Sequence, residues 1–526
     1  MKILHNARIH TLDPQHPTAS AIAVEGERVV AVGGDELLAE CEPGHCKDMR
    51  GHTILPGLTD AHIHLADCAI ALTAINCEVD SKEEILRRVK ERAVQTPPGE
   101  WIVGHGWNQN NWEGVNWPTA SDLEPVAPNH PVFLTAKSLH AAWTNQHGLQ
   151  LAGINASTPD PENGRIQRDP HGVPTGILLE DAMKIIEKII EPAPETLAAA
   201  FSHHLIPALW QLGLTGVHDF DKRNCFQALQ MLHERGELKL RIVKSIQKEL
   251  LPQAAALGLR TGFGDDMLRI GSVKFFADGA LGPHTGAMFE PYVDDSKNRG
   301  ILLMDGEMLF DVGRQAVESG LSLAVHAIGD RAVHEILNGF ERLRAYEREH
   351  GLPALRHRIE HVQTIHPDEG GRLAELGIIA SMQPMHAPSD MNMTERYLGG
   401  RSAYCYAWRI QADAGAHLAF GSDAPVEMPN PFFGLHAAVT RRRADGSPGP
   451  DGWHPEQRLT VREALEGFTT GAAYAAGMED RLGRLSAGYL ADLIVLEQDP
   501  FTCNPSLIRD LTPIATMVGG EWVWQK

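Results

Sequence analysis

The sequence predicts an α/β fold: a (β/α)8 TIM-like barrel, a small β-sandwich built from both chain ends, and an α+β insertion after barrel strand one. Three observations carry this. Short β-like runs recur with helix-like spacers between them, polar side chains sit at the ends of several of those runs, and both termini read as strands and turns.

The first barrel strand lies in LPGLTDAHIHL, residues 55–65, where His62 and His64 sit two apart after Gly57 and Asp60. Successive side chains of a strand alternate between faces, so both imidazoles point the same way. Two neutral imidazoles on one face can grip a metal ion. With 27 histidines in 526 residues, accidental close pairs also occur, and His203–His204 reads as one.

The remaining candidate strands are LTGVHDF (214–220), LRIVKSI (240–246), IGSVKFFADG (270–279), LSLAVHAIGD (321–330), RHRIEHVQ (356–363), GIIASMQP (377–384) and HLAFGSDAP (417–425). Stretches such as GEMLFDVGRQAVESG and PDEGGRLAELG supply amphipathic helices between them. In such a barrel the active face is the C-terminal end of the strands. Lys274, His326, His361 and Asp423 all fall near strand ends. Each has an ordinary alternative, since a strand lysine can snorkel, a strand histidine can be a satisfied core residue, and an aspartate after Gly-Ser can cap a turn. Together with the His-x-His pair they form a set that chance rarely assembles.

Roughly 130 residues separate the first two barrel strands, far beyond an ordinary connection, and predict an inserted domain. It carries the tryptophan-rich WIVGHGWNQNNWEGVNWP and later PVFLTAKSLHAAWTNQHGL. Folded back over the barrel mouth, aromatics such as Trp107 would wall a pocket; the alternative is that they form the insertion's own core. The expected divisions are 1–55 with 482–526 for the sandwich, 56–66 with 200–481 for the barrel, and 67–199 for the insertion.

Composition narrows the function. A 43% hydrophobic, 22% charged chain folds around a sizeable core. A formal charge of -21 argues against nucleic acid and anionic membrane surfaces as partners. No run of about 18 apolar residues could span a bilayer, and the start MKILHNARIHTLDPQHP has no signal-peptide core, so a cytoplasmic location is expected. Seven cysteines without a CxxC pair argue against a thiolate zinc knot and a disulfide framework, and predict buried reduced thiols. A zincin helix is excluded because the His-Glu pairs at His233 and His334 lack the second histidine.

The ordered set LPGLTDAHIHL, VKFFADGALG, HAIGDRAV, RIEHVQ, SMQPMHA and FGSDAPVE resembles the amidohydrolase superfamily, and within it the YtcJ-like branch, over nearly the whole chain. The resemblance implies a metal-dependent hydrolase of non-peptide carbon–nitrogen bonds. It also implies that Lys274 is carboxylated and bridges two divalent ions, with His62, His64 and Asp423 on one and His326 and His361 on the other. Zinc is the default metal, although this mixed nitrogen and oxygen set suits several divalent ions. An ammonium cannot ligate a cation, so Lys274 must be either modified or a bystander. Asp423 is the expected proton carrier. His140, in a PVFL…H…N segment ending at Asn145, is the leading substrate contact in the insertion, joined by His284, Gln383 and His386. His284 and Asn108 depart from the arginine and aspartate common in the branch, which puts specificity in doubt.

The reaction expected is hydrolysis of an amide-type bond in a small molecule, such as an N-acyl or N-formyl amine. A mononuclear deaminase or cyclic-amide hydrolase, and a non-catalytic binding protein on the same fold, stay open as alternatives. So does assembly into a homo-oligomer.

Overall fold

The computed structural model describes residues 1–40, 44–113 and 116–526. Cys41 and, within the tryptophan-rich stretch, Gly114 and Val115 lie outside the described residues. Eight parallel strands form the central sheet: β1 (Leu58–Ile63), β2 (Leu214–Asp219), β3 (Arg241–Gln247), β4 (Leu268–Phe276), β5 (Leu323–Ala327), β6 (Arg358–His361), β7 (Ile379–Met382) and β8 (Leu418–Phe420). They pair in chain order, which is the barrel topology. Closure comes just beyond β8, where the Asp423 amide donates to His62 O (2.7 Å) and the His64 amide to Ala424 O (2.9 Å). All eight candidate strands therefore form, each within a few residues of its predicted span. Their side chains are buried on nearly every position because helices cover the outer face and packed side chains fill the inside.

Both chain ends meet in one six-stranded sheet, in which Thr53–Pro56 pairs with Leu493–Leu496 and the latter with Pro513–Val518. A four-stranded sheet from Lys2–His5, Ala21–Glu25, Arg28–Gly33 and Cys46–Asp48 packs against it, with Leu4, Ile22 and Val24 meeting Ile54, Leu493 and Met517 in one apolar cluster. The apolar run AIAV in SAIAVEGERVVAVGG is the cause: Ala21, Ile22, Ala23 and Val24 are all buried, Ile22 and Val24 on the face that meets the other sheet. The cysteine reading needs one correction: Cys68, Cys77, Cys225, Cys405 and Cys503 are free thiols, but Cys46 is disulfide-bonded.

The insertion builds its own six-stranded sheet, running from Ile75–Asn76 through Ile102–Trp107, Val132–Ala136 and Ala141–Thr144 to Pro174–Glu180 and Gly164–Arg168. It sits over the C-terminal ends of the barrel strands. His105 Nε2 bonds Pro425 O (2.9 Å), Lys137 Nζ pairs with Glu427 (3.2 Å), and Thr285 Oγ1 donates to Glu180 (2.8 Å). No helix among the described residues is long and apolar enough to cross a membrane.

Candidate metal centre

β1 delivers His62 at its end and His64 just after it, and the β8 turn delivers Asp423 opposite them. Asp423 Oδ1 lies 3.4 Å from His62 Nε2 and 3.3 Å from His64 Nε2, so three donors converge on one point. His361 and His386 close a second group around the same Asp423. Lys274, buried on β4, brings Nζ to 3.5 Å from His62 Nε2, over the rings of Phe220 and Phe276. His326 packs edge-on against His361, with ring centroids 4.5 Å apart.

Each imidazole is held by its outer nitrogen, which leaves the inner one for a cation. His62 Nδ1–H donates to Glu360 (2.6 Å), His64 Nδ1–H to Asp221 (3.1 Å), His361 Nδ1–H to Gln383 (2.8 Å) and His326 Nε2–H to Gly279 O (2.9 Å). This outer support fixes tautomer and orientation in metal sites, and the donor set fits divalent ions. The structure also differs from the expected roles. Gln383 orients His361, where a substrate contact was expected, while His386 stands beside Asp423 and also lines a neighbouring cavity.

Electrostatics agree with the geometry. Burial, aided by Lys274, lowers His62 to about 4. Burial also works against charge on His64, but the Asp221 and Asp423 carboxylates overcome it and raise the group to about 10. The same negative potential favours a cation. Burial, with Lys274 nearby adding to it, holds His326 and His361 well below the ordinary imidazole range, in the neutral form that can bind a metal. Burial lowers Lys274 to about 8, with Glu360 and Asp423 opposing, so the free amine is far more accessible here than in an ordinary lysine although the ammonium still predominates near neutrality. Burial would neutralise Asp423, yet the surrounding histidines hold it well below the usual carboxylate range.

A cavity of about 430 Å³ opens between barrel and insertion, lined by His62, His64, Lys274, His326, His361 and Asp423. His140 joins its wall, its Nδ1–H donating to Glu180 (2.8 Å) and its ring 5.1 Å from His326. One expected substrate contact is displaced from the cavity walls. His284 takes a left-handed backbone turn (φ 59°) that sends its ring between Tyr292 and Tyr397, near Asp294. Trp107 does both things that were open to it: it is buried in the insertion's core with Trp112, its indole N–H donating to Leu134 O (2.7 Å), and its ring lines a smaller neighbouring cavity.

Glu360, Asp221 and Glu180, which hold the His62, His64 and His140 rings, were missed by the sequence reading. Only Glu360 left a trace, as an acid beside His361 in a β-run that should be apolar.

Comparison with known proteins agrees with this site. Residues 47–524 match the amidohydrolase family. The protein YtcJ of Bacillus subtilis (strain 168) is 32% identical over 539 residues, covering 100% of this chain and 99% of its own. The N-substituted formamide deformylase of Arthrobacter pascens is 28% identical over 540 residues, covering 98% and 96%. The crystal structure of a metal-dependent hydrolase from Pyrococcus horikoshii OT3 superimposes with a TM-score of 0.77 at 27% identity, over 96% of this chain and 99% of that one. An eight-stranded barrel with histidine and aspartate donors gathered at its mouth, matched along almost its full length, belongs to the amidohydrolase family of metal-dependent hydrolases.

Proposed function

We propose that this hydrolase cleaves the amide-type C–N bond of a small N-acyl or N-formyl amine. The observation that carries the reading is the convergence of His62, His64, His326, His361, Lys274 and Asp423 on one cavity large enough for a small organic molecule. Full-length similarity to a formamide deformylase supports the bond type.

His62, His64 and Asp423 would hold one divalent ion, and His326 and His361 a second, with zinc the first choice. Lys274, as free amine, would take up carbon dioxide and become the anionic bridge that the ammonium cannot be. Ions bound there supply Lewis acidity toward the scissile carbonyl and acidify a water. The chain's own residues do the rest. Asp423, ionised and between His64 and His386, accepts the proton from the attacking water and returns it to the departing nitrogen. His140, fixed by Glu180, faces the cavity beside His326 and can donate to a substrate oxygen. The insertion keeps bulk water from the reacting atoms.

The test is turnover of a panel of N-formyl and N-acyl amines by zinc-loaded protein, read as amine release. Asp423→Asn should lower kcat on the order of 10²–10⁴-fold. Absence of amine release across the panel, or an undiminished Asp423→Asn, would contradict the assignment.

A further inference from the structure

A second cavity, of about 80 Å³, adjoins the centre. His140, His326, His361 and Asp423 line both cavities. A bond broken at these shared residues therefore has its two substituents in chambers of very different size. We infer that the small chamber is an acyl subsite shaped for a short acyl group carrying a hydrogen-bonding atom beyond the scissile carbonyl, glycolyl being the simplest, with Gln363 as the residue that reads it. The inference rests on the amide-hydrolase reading and narrows its substrate class.

The polar lining of the small chamber is the reason. Asn108 Oδ1 accepts from the Asn110 amide, Asn110 Oδ1 accepts from the Tyr397 hydroxyl, and Asn110 Nδ2 reaches Met393 Sδ. Lys137 pairs with Glu78 and Glu427, and Asp390 accepts from Tyr406. Gln363 and His386 differ: they are 3% and 7% exposed, and neither Gln363 Nε2 nor His386 Nε2 has a hydrogen-bond partner. His386 Nε2 stands 3.9 Å from Asp423, beyond hydrogen-bond reach. A bound cation would account for the His386 nitrogen, since His386 belongs to the donor group around Asp423, but nothing accounts for Gln363: a buried amide is costly to leave unpaired, and one lining a small chamber beside the centre marks a place for a ligand atom. A hydroxyl oxygen accepts, so it can satisfy the Gln363 amide N–H.

The large chamber suits the amine half. Val103, Phe133, Leu139, Phe220 and Phe276 give it apolar walls, and its lining carboxylates outnumber its lysines, which favours a departing ammonium. Hydrolysis then places the water oxygen on the acyl carbon in the small chamber. The C–N electron pair leaves with nitrogen, which takes the proton, and a short carboxylic acid and a free amine result.

The experiment compares N-formyl, N-acetyl, N-glycolyl and N-hexanoyl phenethylamine on the metal-loaded enzyme, alongside binding of glycolate and acetate by calorimetry. The glycolyl amide should exceed the acetyl amide roughly tenfold in kcat/KM, glycolate should bind roughly tenfold tighter than acetate, and the hexanoyl amide should be refused. Gln363→Met should bring both ratios close to one, with the thermal midpoint reporting that it folds. Gly282→Val is an independent variant. A Cβ there meets nothing nearer than Asn110 Nδ2 at 3.6 Å, so the fold tolerates it while the chamber narrows, and the acetyl and glycolyl amides should lose ground to formyl. Equal use of hexanoyl and acetyl amides, or ratios unchanged in Gln363→Met, would overturn the subsite while leaving amide hydrolysis standing. Failure of wild type on all four amides would overturn the amide-hydrolase reading, and the subsite with it.

Discussion

At the residue scale, the centre depends on carboxylates that hold its imidazoles in place. Glu360 illustrates this. It lies in the barrel interior beside Arg358, which holds it ionised despite complete burial, and it accepts the His62 Nδ1 proton. Replacing it by glutamine keeps the shape and removes the charge that makes His62 a better donor. Glu360→Gln should weaken divalent metal affinity about 10–100-fold, measured by competition with a chelator, with secondary structure unchanged. The His-x-His pair, Lys274 and Asp423 were legible because they interrupt apolar runs. Glu360 was not, because strict alternation puts it on the face opposite His361. The backbone of His361 (φ 74°) breaks that alternation and lets both reach the centre. Asp423 (φ 58°) is bent in the same way.

At the element scale, what positions Asp423 is the seam between β1 and the end of β8. Gly421 is the tight point there: a Cβ would come within 2.4 Å of the His62 backbone nitrogen and 2.7 Å of Asp60 Oδ1. Gly421→Ala should therefore push β1 and β8 apart, cost about 1–3 kcal/mol in denaturant unfolding and weaken metal retention together with stability. Loss of neither would remove the seam as the device that brings Asp423 to His62 and His64. The strands themselves were readable from short β-like runs and their spacing. The loops were not, because nothing periodic reports where a loop side chain points. His284 was therefore expected at the centre and lies instead between two tyrosines.

At the scale of the whole molecule, the barrel, the sheet shared by both chain ends and the existence of an insertion were all visible in the sequence, because length and alternation report them directly. The unequal chambers were not. They arise where the insertion sheet closes on the barrel mouth, from contacts such as His105 with Pro425 that are far apart in sequence. Folding also buries several histidines in neutral form. His436 is lowered to about 4 by burial and by Arg509 and Arg442, and burial likewise holds His357 below its ordinary value. The unfolded chain protonates such groups from about pH 6.5, so this contribution is complete above that pH and is lost as pH falls toward 4. Urea unfolding should show stability declining across that interval, with a shallower decline in His436→Gln; identical slopes would contradict the assignment.

The central claim is a centre of two ions bridged by a modified Lys274. Its most direct test is metal content per chain, by elemental analysis, for wild type and Lys274→Ala purified with and without bicarbonate and divalent metal. The account predicts about two ions in wild type with bicarbonate and a sharp fall in the variant. One ion in both proteins, indifferent to bicarbonate, would contradict the bridge and favour a mononuclear hydrolase.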